Sequence, residues 1–548
     1  MLPGALRAFG LNDQQRARLR GAAAAAAFVV VLLVTAFNER APLDIQAGMV
    51  ARVIAGFVPL LAASVAAYAI FRPWRGFVAV LFLTPVFDVA QVSVWIGAVQ
   101  VISQTLFAVV LGTAVALRPR GSVRPSASPD GAAAPRSAAP EPEPARRGWR
   151  ARWTPDRVAG AAIVALLAVA VLSTAFSPSP PTSATILLHG ILEPAAMAFI
   201  LLALRPTRRQ LALLLIVIGV SVALGGLLDM AQSIPAMKTL DTMQTDRLFF
   251  SRITYFNVGL FGEMLAMAMP ILIVALLARR YLHLGRAAVL LIIAAILVCL
   301  VSLFLTFSKS AYLATFGGCL VLILLVVRSW RRRAAIILAT CLVSTVVIPW
   351  PAFFLQVSPP LEQAYRSAMV SLMGESRYDS WDPATISGQG SLVERWDATR
   401  AGIEMAIDHP LLGVGLDQFG PLYLSHYRPP QAKDDLDWAH SMLPEIAAEL
   451  GFPALLLALL IYAAAFLALW RVYRAPPDPL ARLLASALLA ALVSWQVVGL
   501  AFAGDMYRWW RNMSSDYVMM MVLMASAFAL YRLTRRGATP DDSSEAAA

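Results

Sequence analysis

Fourteen long apolar runs limit what this chain can fold into more tightly than any other property it has. A helix needs about 20 mostly apolar residues to cross a hydrocarbon core about 30 Å thick. In lipid, only helices and closed barrels satisfy their own backbone groups. The runs fall at approximately 21–37, 54–71, 76–90, 98–117, 157–176, 184–204, 210–230, 257–278, 287–307, 311–328, 334–350, 441–470, 481–503 and 516–532. They are too long for strands and predict an all-α, polytopic helical membrane protein. Composition agrees: 59% of the 548 residues are hydrophobic and 14% charged, against about 45–50% and about 25% in soluble domains. An ordinary soluble enzyme is excluded.

The net charge of +12 would suggest nucleic-acid binding in a soluble chain, but here the cations cluster between apolar runs and record topology instead. With the N-terminus inside, 31 of the 45 Lys and Arg fall in inner loops. Both termini are then expected to be cytoplasmic. The first run follows Arg7, Arg16, Arg18 and Arg20 and reads as an uncleaved anchor. Domain boundaries follow: N-terminal membrane helices at 1–117, a Pro/Ala/Ser/Arg-rich cytoplasmic linker at 118–155 expected to be disordered, central helices at 156–350, an outward loop at 351–439, C-terminal helices at 440–532 and a tail at 533–548.

The outward loop, between spans 11 and 12, is long enough to predict function. Within it, Val393, Trp396, Ile403 and Ile407 recur at helical spacing from Ser391 to Asp408, among Glu394, Arg395, Asp397, Glu404 and Asp408. This predicts an amphipathic helix at the membrane surface, ending near His409-Pro410, with Gly413 and Gly415 supplying a tight turn.

Candidate chemistry is sparse. There is no Walker A, GxGxxG, HExxH or GxSxG pattern. Cys299, Cys319 and Cys341 sit inside apolar runs without paired spacing, so no disulfide, metal or cofactor is expected. Of five histidines, His440 stands where the twelfth span begins, followed by Glu445 and by Glu449 on the same helical face. Its ordinary pKa of about 6.5 suits proton transfer from an alcohol; simple anchoring at the interface is the alternative. Outer-side cations include Arg252, Lys309, Arg366, Arg395, Arg400 and Arg428. Guanidinium forks match a diphosphate at the bilayer surface, or they pair with Glu394, Asp397, Glu404 or Asp408. Intramembrane acids, Glu193, Asp229, Glu263, Glu445 and Glu449, also keep a transporter or a flippase for lipid-linked glycans open.

Two segments carry a resemblance. Arg395-Trp396-Asp397-Ala398, then Ile407-Asp408-His409-Pro410-Leu411-Leu412-Gly413-Val414-Gly415, then Ala439-His440-Ser441 with Glu445 and Ala448-Glu449-Leu450-Gly451-Phe452, resemble the O-antigen ligase and polymerase superfamily of bacterial membrane glycosyltransferases. Arg252-Ile253-Thr254-Tyr255-Phe256-Asn257 and Ser308-Lys309-Ser310-Ala311 are similar to further segments of that family; Ser441 stands where it usually has Asn, and Lys309 where it has Arg. The resemblance implies transfer of a glycan from an undecaprenyl-diphosphate carrier to a sugar hydroxyl, on another glycan or on lipid A-core, at the periplasmic face. Other polysaccharide assembly proteins are possible partners. His440 would be general base in an inverting displacement, with Arg395 and Arg252 stabilising the diphosphate. Glu445 and Glu449 would orient the histidine or shape the cavity, and Lys309, Arg366, Arg400 and Arg428 would hold substrate. Polymerase and ligase share donor and bond chemistry, so these motifs do not separate them.

Overall fold

A computed structural model describes residues 73–89, 154–239, 258–306, 309–347, 389–430, 436–500 and 516–535. These are helices joined by turns, with no strand among the described residues. The runs expected at 21–37, 54–71 and 98–117, nearly all of the 118–155 linker, and residues 351–388 of the outward loop lie outside them.

In chain order the helices are α1 (Pro73–Val89), α2 (Pro155–Ala175), α3 (Pro180–Ile186), α4 (Glu193–Leu204), α5 (Arg208–Thr239), α6 (Val258–Leu277), α7 (Arg286–Thr306), α8 (Lys309–Val326), α9 (Trp330–Val347), α10 (Gln389–Asp408), the one-turn α11 (Phe419–Leu422), α12 (Met442–Arg474), α13 (Pro479–Leu500) and α14 (Asp516–Arg535). A π-helical stretch, Leu187–Leu192, joins α3 to α4. Eight helices among the described residues are long and apolar enough to span a membrane: Pro155–Ala175, Pro180–Leu204, Arg208–Leu228, Phe261–Arg280, Arg286–Leu303, Met442–Arg474, Pro479–Gly499 and Val518–Arg535. A shorter apolar helix covers Ser310–Val326.

Local sequence explains many helix starts. Proline occupies the first helical position of α2, α3 and α13, where its missing N–H costs nothing. Asp478 caps α13 by accepting from Ala481 N at 2.7 Å. At the other end of α4, Arg205 adopts a left-handed φ of 50° before Pro206, a stop that proline enforces.

α6 is the hub, lying against α5, α7, α8 and α13, with its own Phe261, Met264, Leu265 and Leu272 fully buried. Small residues let other helices close up, as membrane bundles require. α8 meets α13 where a Cβ on Gly318 would lie 2.9 Å from Ala490 O.

Polar contacts show which helix ends share a side. Arg532 at the end of α14 holds Asp156 at the start of α2 (2.9 Å), and Arg208 at the start of α5 pairs with Asp478 before α13. Tyr473 near the end of α12 donates to Leu325 O near the end of α8 at 2.9 Å. These ends agree in relative sidedness with the basic clusters of the sequence. The C-terminus of α2 and the N-terminus of α12 therefore lie at the opposite end, about 30 Å away along a helix of this length. α10 sits there too, packed on α12.

Candidate active site

The site is assembled where the turn after α10 meets a break in α12. α10 runs Gln389–Asp408 and stops before His409-Pro410, as its sequence predicts. The expected amphipathic face is present and lies away from the protein. Trp396 (61% exposed) and Ile407 (63%) face away, while Ala398, Ala401 and Met405 are buried against α12 and its approach loop. The reason is closeness: Gly402 lies where a Cβ would meet the Ala439 Cβ at 2.9 Å and the Pro444 Cβ at 3.2 Å. Bulky Trp and Ile side chains could not occupy that interface.

α12 is interrupted at Gly451, with φ 83° and ψ 170°. Pro453 follows two residues later; it has no N–H, and its ring would clash with the carbonyl of Glu449 in a regular helix. The break frees the carbonyls of Ala448 and Glu449 and the N–H of Phe452, and buried backbone groups must find partners. The turn supplies all of them. Val414 N donates to Ala448 O (2.8 Å), Gly415 N to Glu449 O (3.0 Å), and Phe452 N to Pro410 O (2.9 Å). The Ser173 hydroxyl of α2 adds a second donor to Glu449 O at 2.9 Å.

Two glycines face each other across this junction. A Cβ on Gly413 (φ 66°) would lie 2.3 Å from Glu449 C, and one on Gly451 would lie 2.6 Å from the carbonyl of Leu411. The PLLGVG turn and the Glu-Leu-Gly segment are thus two halves of one backbone lock. Ser183 of α3 completes the surroundings by donating to Leu416 O at 2.7 Å.

Above the lock, the peptide preceding His440 is held from both sides. Ala439 N donates to the Glu445 carboxylate, and Ala439 O accepts from the Thr399 hydroxyl at 2.8 Å. His440 itself takes a left-handed φ of 53°, a conformation costly outside glycine unless its surroundings impose it. The Trp438 indole N–H donates to His440 Nδ1 at 2.9 Å, with ring centroids 4.6 Å apart. Arg395 lies one turn before Thr399 on the same face of α10, about 6 Å along the helix surface. The structure therefore brings Arg395 and His440 to one neighbourhood.

The other expected site residues divide. Glu445 and Glu449 are both buried, and both serve the scaffold: Glu445 holds Ala439, and Glu449 accepts from Phe419 N at 3.4 Å. Arg400 is exposed and pairs with Glu404 at 2.9 Å, one of the pairings the sequence left open. Arg428 is half-buried just after the Tyr423–Tyr427 π-helical turn. Lys309 opens α8. Arg252 and Arg366 lie outside the described residues. Nearby, the Tyr427 hydroxyl donates to Asp408 at 2.8 Å, and burial together with that carboxylate pushes its phenol up to about 12.

Sequence reasoning gave no role to Thr399, Trp438 or the serines of α2 and α3, and took Gly451 only as part of the family-like segment, not as a helix break. A Gly-x-Pro inside an apolar run is a breaker signal, so Gly451-Phe452-Pro453 could have been found. The others carry no local mark.

Fold and site together define a polytopic helical membrane protein with a polar cap built on a broken helix at one end of its bundle. Residues 294–459, from within α7 through the break in α12, match the model of the O-antigen ligase (Wzy_C) family, which supports a likeness to the O-antigen ligase superfamily over that stretch. The match contains Arg395, the glycine lock and His440; Arg252 precedes it. No curated protein matches the chain.

Proposed function

We propose that this protein transfers a glycan from an undecaprenyl-diphosphate carrier to an acceptor sugar hydroxyl on the periplasmic side of the inner membrane, with inversion and without a metal. The observation that carries the reading is the double clamp on Ala439, which fixes His440 beside the α10 face bearing Arg395, inside the family-matched region. Arg395 would bind the donor diphosphate, with Arg252 joining it and Lys309, Arg366, Arg400 and Arg428 extending the basic surface. His440 would stand at the reacting centre.

The exposed ridge of Trp396, Ile403, Ile407 and Leu411 supports placement at a membrane surface. It continues across the Phe452–Pro410 hydrogen bond into exposed Phe452 and Leu456 of α12. A lipid-linked donor would then reach Arg395 from the bilayer, without an aqueous step.

The test is replacement of His440 and Arg395 by Ala in cells lacking the native gene. Each variant should insert normally and abolish transfer, a loss of at least about 100-fold for groups acting in the transition state. Normal glycan amount and length in both would refute the reading. Glycans from the deletion strain separate the two acceptors: single repeats indicate a lost polymerase, and long chains stranded on the carrier indicate a lost ligase.

A further inference from the structure

We propose that Trp438 sets the tautomer of His440, so that the neutral imidazole meets the substrate as an N–H donor through Nε2. The inference deepens the transfer reading above and rests on it for the identity of the substrate.

An indole nitrogen can only donate. At 2.9 Å from Trp438 Nε1, His440 Nδ1 must therefore be the acceptor. A neutral imidazole carries one N–H, and with the Nδ1 lone pair occupied the proton resides on Nε2. Histidines that act as bases are oriented the opposite way: an acceptor, usually a carboxylate, takes Nδ1–H and leaves Nε2 unprotonated. Here Nδ1 faces a donor, the Trp438 indole N–H.

The arrangement resists rearrangement. Trp438 and His440 flank Ala439, which is fully buried and held at both its N–H and its carbonyl. The rings lie 4.6 Å apart at 45°. Exchanging the two nitrogens would set donor against donor at Nδ1. The general-base role suggested by the sequence needs a lone pair at Nε2, and this geometry puts a proton there.

An N–H at that position suits an anionic oxygen. As the acceptor oxygen bonds to the anomeric carbon, the bond from that carbon to the diphosphate oxygen breaks, and its electron pair passes to the diphosphate. His440 Nε2–H donates to the oxygen that gains this charge. The acceptor's hydroxyl proton passes to solvent water on the attacking side, because in an inverting displacement the diphosphate leaves from the opposite face of the sugar. Trp438 is a positioning residue in this scheme, acting only through His440.

The full-length protein, 15N-labelled at histidine and reconstituted in lipid nanodiscs, tests the tautomer without any substrate. His440→Ala identifies the signal. Nε2 should be protonated and Nδ1 unprotonated at neutral pH, and Trp438→Phe should yield a mixture. A wild-type spectrum with Nδ1 protonated overturns the proposal, whatever becomes of the Phe variant. In transfer assays, His440→Gln, whose amide N–H can reach where Nε2 stood, should exceed His440→Ala by about tenfold, the worth of one retained hydrogen bond to a charged oxygen. Gln no better than Ala overturns the donor role. If His440→Ala transfers normally, the glycan-transfer reading fails, while the spectrum still decides the tautomer.

Discussion

Replacing Gly413 with Ala should unlock the junction between the α10 turn and α12, because the added carbon has only backbone to meet. It would lie 2.3 Å from Glu449 C, 2.4 Å from Leu450 N and 2.5 Å from Glu449 O. No side chain can rotate to relieve this, so the strands of backbone must part by about 1 Å to restore ordinary van der Waals separation. The flanking bonds, Val414 N to Ala448 O at 2.8 Å and Gly415 N to Glu449 O at 3.0 Å, cannot stretch that far and survive. Each buried partner left unmatched costs about 1–3 kcal/mol, and alanine at φ 66° adds about 1 kcal/mol. The expected total is about 3–7 kcal/mol, concentrated at one end of the molecule. Thermal unfolding in detergent should show a lowered midpoint, and hydrogen exchange should rise at 410–415 and 448–452 before it rises in α6 and α13. Glycan transfer should fall with it, since Arg395 and His440 stand on opposite sides of the junction. Gly160→Ala is the control: a Cβ there meets nothing within 4 Å, and in the middle of α2 it should stabilise by about 0.5–1 kcal/mol. Equal stability and exchange in the two variants would refute the reasoning.

Two further outcomes follow from the cap. Thr399→Val keeps the shape but removes the donor to buried Ala439 O, so it should cost about 1–3 kcal/mol locally and lower transfer more than it lowers the melting midpoint; unchanged transfer would show that the clamp does not position His440. Burial, together with the Asp408 carboxylate, holds Tyr427 protonated, its phenol pushed up to about 12. A raised acid means that the folded state binds the extra proton, so this contribution to stability is present below about pH 10 and lost as pH rises towards 12. Tyr427→Phe should remove that alkaline dependence, which melting curves between pH 9 and 12 will register.

Composition and periodicity were sufficient for the broad architecture. Apolar runs of the required length report helices directly, because lipid allows a single chain few other ways to satisfy its backbone. Cations at alternate loops report which ends share a side, and the Asp156–Arg532 and Arg208–Asp478 pairs agree with that alternation. The end of α10 at His409-Pro410 and the turn at Gly413 and Gly415 were legible for a similar reason: proline and glycine restrict or widen backbone angles locally, whatever surrounds them.

What could not be read along the chain is complementarity between distant segments. Nothing near Gly413 says that the carbonyls it approaches belong to Ala448 and Glu449, or that Ser173, 276 residues away in sequence from Glu449, will donate to one of them. The apolar stripe of α10, expected at a membrane surface, is exposed, but which residues of α10 touch the protein was not legible: the contact went to Ala398, Ala401 and Gly402, because close helix approach needs small side chains. His440 was identifiable by its position before Glu445 and Glu449, but its chemical polarity was not. A histidine's reactive nitrogen is chosen by whatever donor or acceptor folding brings to the other one, and at Nδ1 folding brought the indole of Trp438.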